Sequence, residues 1–227
     1  MIYEPEKLVE VPALLIFVDI RNFTSMMDCS DNEKIVAQFV MNFYAIADDV
    51  FFLPIFDTTP KTTAALYRND EKPEILLQEG QLQILPRIAK RMGDGFLFVF
   101  FIGEERWAEA LQLFLERIAN FEKKFDDLKK RDILTSGKYE ERIHLGWGVT
   151  AGNVIVLPAE EVGWQCDAIG KAINRASRLC DCARPNGVVI DANVFPNKPE
   201  STFFGDWQRH QTQLKGIKGK TGIWQAK

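Results

Sequence analysis

Histidine is almost missing from this chain: 227 residues contain only His144 and His210. That leaves few ways to assemble a Ser/His or Cys/His nucleophile, and both are expected to be structural or surface residues. Cysteine is scarce as well. Cys29, Cys166, Cys180 and Cys182 follow neither a zinc-ligand spacing nor the framework of a small secreted domain, so free thiols in a reducing cytosol are expected. There is no excess of positive charge. Against 32 acidic residues stand 28 Lys and Arg, for a net charge of -4. Broad capture of nucleic acid or an anionic membrane is therefore not expected, although a small basic pocket is not excluded. Long apolar runs are absent: "ALLIFV" and "FLFVFFI" are too short to span a bilayer. The opening "MIYEPEKLVE" lacks the apolar stretch of a secretory signal. A cytoplasmic location is the expectation.

What is present is a globular composition, 46% hydrophobic and 26% charged, in a chain long enough for one full core. We expect a single domain over residues 1–227 with an insertion at about 54–86. Pro54, Pro60, Pro73 and Pro86 with "DTTPKTT" and "RNDEKPE" break the pattern there, leaving room for a short hairpin or helix of its own. "PALLIFVD" reads as a buried strand. "KIVAQFVMNFYAIADDVFF" has helical spacing, with Ser30 or Asp31 as N-cap. "ILPRIAKRMGDGFLFVFFI" reads as strand, turn, strand, and "EERWAEALQLFLERIANFEKKFDDLKKR" as a long amphipathic helix. "RIHLGWGVTAGNVIVL" reads as two strands bent at glycines. A helix opens after Gly170, a strand follows "RPNG", and the tail offers two more strands. The order β, α, β, β, α, β with further elements is that of an α+β, ferredoxin-like sandwich with additional strands.

In that arrangement the first strand lies beside the central hairpin. Asp19, where the first apolar run ends, and Asp94, between two glycines in "RMGDGFLFVF", become neighbours. Two adjacent carboxylates repel unless one is protonated or a cation lies between them. Without histidine or thiolate the pair suits Mg²⁺ or Mn²⁺ far better than zinc. The plainer alternative is a turn aspartate and a capping aspartate with no shared role. Asn174 and Arg178 are four residues apart on the later helix and share a face, so they could meet a sugar hydroxyl and a phosphoryl oxygen. A solvated helix arginine is the plainer reading. In "QLKGIKGKTG" lysines alternate with glycines, as in an anion site or a basic surface hairpin.

Together "FVDIRNFTSM", "KRMGDGFLFVF", "DAIGKAINRASRL" and "LKGIKG" resemble the catalytic domain of class III nucleotidyl cyclases. The match covers roughly residues 12–226 outside 54–86. The resemblance implies conversion of a nucleoside triphosphate to a 3′,5′-cyclic nucleotide and pyrophosphate. It implies Asp19, Asp94 and the Ile20 carbonyl as ligands of two Mg²⁺ or Mn²⁺ ions. The amides of Asn22, Phe23 and Thr24 would grip the terminal phosphates. Asn174 would orient the ribose, Arg178 would stabilise the pentavalent phosphorus, and Lys215 would bind triphosphate, with Lys218 as the alternative lysine. Asn22 stands where the family commonly has glycine, and asparagine tolerates the left-handed region. Because the chain carries both half-sites, a homodimer with sites between subunits is implied, with no nucleic acid or membrane partner.

For the base, Lys90 and Asp167 fall where adenylyl cyclases of this class carry their reading pair, which implies ATP. Short, solitary composition instead resembles the stand-alone pyrimidine cyclases of bacterial anti-phage (Pycsar) systems. That resemblance implies UTP or CTP and a separate effector reading the product; Tyr44 is one candidate to narrow the pocket for a smaller base, and a core aromatic at helical spacing is the plainer reading. The pyrimidine reading is placed first, ATP second. A catalytically inactive nucleotide sensor of the same fold is the third reading. Such sensors usually lose a metal aspartate or the arginine, whereas Asp19, Asp94 and Arg178 are all here.

Overall fold

The computed structural model describes residues 8–28, 33–52, 77–78, 81–82, 85–131, 142–157, 167–200 and 203–226. Strand β1 spans Val9–Arg21 and leads into a short helix, α1, over Phe23–Asp28. Helix α2, Glu33–Phe51, buries Val36, Phe39, Phe43, Ala47, Val50 and Phe51, the three-to-four spacing that its sequence dictates. A two-residue hairpin, β2 (Leu77–Gln78) with β3 (Gln81–Leu82), stands in the expected insertion. The rest of 54–86 apart from residues 85–86, the N-cap candidates Ser30 and Asp31, and Cys29 and Cys166 lie outside the described residues.

The hairpin β4 (Ile88–Arg91) and β5 (Gly95–Phe101) follows, then α3, Trp107–Arg131. Glu109 in the first turn of α3 and Lys129, Lys130 and Arg131 in its last suit the helix dipole. After β6 (His144–Leu157) come β7 (Asp167–Ile169) and helix α4 (Lys171–Cys182). Then come β8 (Gly187–Asp191), β9 (Trp207–Gln213) and β10 (Lys220–Ala226).

All strands except the small hairpin join one eight-stranded sheet in the order β4-β5-β1-β6-β8-β10-β9, with β7 paired to β6. The antiparallel group β4-β5-β1-β6, with α2 and α3, is the ferredoxin-like unit read from the sequence. Helix α4 then crosses over so that β8 runs parallel to β6. β1 and β5 are apolar without alternation because both their faces are covered. Leu14, Ile16, Val18, Ile20, Phe96, Phe98 and Phe100 face α2 and α3. Ala13, Leu15, Leu97 and Val99 face the other side, with Ala172 and Ala176 of α4.

One expectation is corrected. "HLGWGVTAGNVIVL" is a single 14-residue strand, not two strands bent at glycines. Its register with β1 runs unbroken from Arg21 opposite His144 to Val9 opposite Val156. The glycines serve close approach. A side chain at Gly148 would overlap the Ala176 carbonyl and the Cys180 amide of α4, and one at Gly146 would overlap the Arg21 guanidinium. No described helix is long and apolar enough to cross a membrane.

Candidate active site

The β1–β5 register brings the two carboxylates together. Asp19 stands opposite Gly95, and the Ile20 amide donates to the Asp94 carbonyl at 2.9 Å. Asp94 occupies the tight loop between β4 and β5, where Gly93 takes φ +70° and the Met92 amide bonds the Gly95 carbonyl at 2.9 Å. So "GDG" is both a hairpin turn and the carrier of a carboxylate beside Asp19. Burial, and after it the negative charge of Asp94, push the Asp19 carboxyl up to about 6, while Arg21 pulls it down. The Ile20 side chain is in the core, leaving only its backbone carbonyl for a ligand role.

These residues fit a hard divalent cation. Both side-chain donors are carboxylates, and a cation between them would relieve the repulsion that Asp19 feels. Gly95 permits a close approach to β1: a Cβ there would stand 2.8 Å from the Val18 carbonyl and 3.5 Å from Asp19 Oδ1. Among the described residues no cluster of three or more His, Cys, Asp or Glu could hold an ion by itself. Further ligands would come from backbone, water or a phosphorylated substrate, as is usual for Mg²⁺.

Immediately after β1, Asn22 adopts φ +62°, the left-handed conformation expected of it, and its carbonyl accepts the Met26 amide at 3.1 Å as α1 begins. Phe23 and Thr24 open α1, where helix-start amides lack partners one turn earlier in the helix. Phe23 is half-buried against the core and Thr24 is exposed.

Helix α4 buries Ala172, Ala176, Leu179 and Cys180, leaving Asn174 exposed and Arg178 partly so. Arg178 pairs with Asp181 at 3.0 Å. The helix is pinned by Arg175, which pairs with the fully buried Asp191 of β8; Thr150 of β6 also donates to Asp191, at 3.0 Å. Lys215 and Lys218 are exposed in the β9–β10 turn. The turn takes left-handed glycines at 216 and 219, and its Leu214 and Ile217 belong to the cluster of Leu179 and Cys182. The lysine turn therefore sits at the C-terminal end of α4.

Lys90 and Asp167 form an ion pair. Asp167 lies opposite Leu157 at the outer end of β6, and Ala168 packs among Ile88, Leu97 and Val99. The outer part of β6 with β7 thus folds over the α4 face of the sheet to meet β4. Tyr44 lies apart from that pair, and its surroundings within one chain are those of a core aromatic at helical spacing. Its ring packs on Phe43 and Phe96, with the α2 face, and its hydroxyl donates to the Gly93 carbonyl at 2.6 Å. Arg91 lies over the Tyr44 ring and pairs with Asp48 at 3.0 Å. Within one chain Tyr44 buttresses the Asp94 turn.

Sequence reasoning missed Arg21, Arg175 and Asp191. Arg21 carried a signal: two residues from Asp19 on a strand, it must share Asp19's face.

Against solved structures, the chain has the fold of class III nucleotidyl cyclase catalytic domains. It aligns over 97% of its length and 96% of the other chain with the adenylyl cyclase CyaB from P. aeruginosa, at TM-score 0.62 and 14% identity. A solved guanylyl cyclase matches over 96% of this chain and 93% of its own, at TM-score 0.63 and 16% identity. The guanylate cyclase domain of RhGC from Catenaria anguillulae, solved in complex with GTP, matches over 96% and 98%, at TM-score 0.54 and 16% identity. At such identities the likeness is one of fold. No sequence-family profile matches the chain, and no curated protein sequence does.

Proposed function

We propose that this protein is a homodimeric nucleotidyl cyclase that closes a nucleoside triphosphate to its 3′,5′-cyclic monophosphate and releases pyrophosphate. The observation that carries this reading is the Asp19–Asp94 juxtaposition across β1 and β5, on a fold whose solved relatives include adenylyl and guanylyl cyclases. Asp19, Asp94 and the Ile20 carbonyl would hold two Mg²⁺ or Mn²⁺ ions. Bound there, the ions would lower the pKa of the ribose 3′-hydroxyl and offset charge on the departing pyrophosphate. Amides at Asn22, Phe23 and Thr24, with Lys215 or Lys218, would take the triphosphate. From the partner chain, Asn174 would orient the ribose and Arg178 would meet charge developing at the α-phosphorus.

For the base we retain a pyrimidine, UTP or CTP, with the product acting as a messenger to a separate effector in anti-phage signalling. ATP is the second reading, and the Lys90–Asp167 pair favours it, because donor beside acceptor suits N1 and N6 of adenine. The same pair also suits N3 and N4 of cytosine, or O4 and N3–H of uracil. Purified protein incubated with Mn²⁺ and ATP, GTP, CTP or UTP separately tests both levels. A cyclic pyrimidine nucleotide is expected; dominant cyclic AMP would overturn the pyrimidine reading, and no product from any triphosphate would leave only the sensor.

A further inference from the structure

Among the described residues the least explained charge is Arg21. Its side chain is only 6% exposed, at the last position of β1. Nη1 donates to Asp19 Oδ2 at 2.8 Å. Nη2 donates to the Cys180 carbonyl, in the final turn of α4, and lies 3.2 Å from Cys180 Sγ. Nε is buried with no partner. Leaving such a group unpaired costs about 1–3 kcal/mol, so the arrangement is held against a penalty. Gly146 provides the room: it faces Asp19 in the β1–β6 register, its carbonyl accepts the Cys180 thiol at 3.1 Å, and any side chain on it would overlap the guanidinium.

We propose that Arg21 is a positioning residue that straps the carboxylate of Asp19 to the C-terminal turn of α4. By holding Oδ2 it leaves Oδ1 on the side of Gly95, next to the Asp94 turn. By holding the Cys180 carbonyl it fixes the turn that carries Arg178 and Asp181. Only a planar fork can do both, since a lysine ammonium lacks the paired, rigid donors. The inference rests on the reading that Asp19 holds a metal ion and Arg178 acts in catalysis. In a dimer that shares its sites, the strap would join the metal side of one site to the arginine side of the other.

A strap of this kind predicts effects of opposite sign on metal binding and turnover. Arg21 competes with a cation for Asp19, so Arg21→Gln should bind Mn²⁺ about 3- to 10-fold more tightly, measured by electron paramagnetic resonance on nucleotide-free, full-length protein. Its kcat should nevertheless fall about 10- to 100-fold, with KM within about threefold, because the reacting groups are no longer aligned. Arg21→Lys should keep wild-type Mn²⁺ affinity and still lose turnover. Gly146→Ala, which displaces the guanidinium without removing it, should lose turnover in the same way. Unchanged or weaker Mn²⁺ binding in Arg21→Gln overturns the proposal, as does wild-type kcat in Arg21→Lys and Gly146→Ala. If Arg21→Gln does not fold, those two variants decide. A wild-type protein that makes no cyclic product defeats the proposed function, while the Mn²⁺ comparison still decides whether Arg21 restrains Asp19.

Discussion

The two faces of the sheet are built differently. Under α2 and α3 lies a thick aromatic layer: Phe51 meets Phe98 at 4.3 Å between ring centroids, Phe100 meets Phe114 at 4.1 Å, and Phe43 meets Phe121 at 5.6 Å. Such pairs add about 0.5–1.5 kcal/mol each beyond their buried area. Under α4 the layer is thinner and aliphatic, with alanines of the helix over Leu15, Leu97 and Val99 and close approach at Gly148 and Gly152, and around it stand Asp19, Arg21, Arg175, Asp191, Lys90 and Asp167. Stability is concentrated on one face and chemistry on the other, so each can be perturbed while the other is watched.

The sharpest separation should come from Asp94→Ala. The residue sits in a half-exposed loop, so we expect product formation to fall about a thousandfold or more while the melting midpoint moves by no more than about 3 °C. Phe98→Ala should do the reverse. It empties a fully buried site between Phe51, Phe96 and Phe100 and should cost about 3–5 kcal/mol in urea unfolding. Residual product per folded molecule should stay near wild type; a collapse of turnover at full folding would break the division between faces.

Glu122 probes the aromatic side by pH. It accepts the Trp147 indole N–H at 2.7 Å, and burial lifts its carboxyl from an ordinary 4.5 to about 7. The folded state therefore holds its proton more tightly than the unfolded state. That contribution is fully present below about pH 4.5 and is lost as pH rises through about 7. Glu122→Gln keeps an acceptor for Trp147 without the charge. It should match wild type near pH 4 and exceed it by roughly 3 kcal/mol at pH 8, measured by denaturant unfolding. Equal stabilities at pH 8 would count against the shift. The smallest effect should come from Tyr44→Phe, which removes the bond to Gly93: about 0.5–1 kcal/mol of stability and a few-fold in turnover.

Much of the architecture was legible because apolar runs and helical spacing report burial directly. β1, α2, the β4–β5 hairpin, α3 and the closing strands follow from them. The neighbourhood of Asp19 and Asp94 was legible because topology fixes which strand ends meet. The glycines of β6 were misread as a bend, since a sequence does not say whether a missing side chain serves a turn or an approaching helix. Arg21 and Arg175 were passed over because their partners, Cys180 and Asp191, are distant or ordinary in the sequence. Tyr44 stands out in the sequence by residue type alone, while its packing against Phe43 and Phe96 and its bond to Gly93 depend on how α2 meets β5.

Helix α4 rests on β6 through main-chain contact at Gly148 and through Ala172 over Gly152. Bare backbone and one small methyl thus bring the helix close, and Leu179, Cys180 and the Arg175–Asp191 pair hold it there, not the residues that look outward. Positions such as 174 and 178 can be exchanged without shifting the axis that carries them. A scaffold mounted in this way can change what it recognises while its foundations stay still.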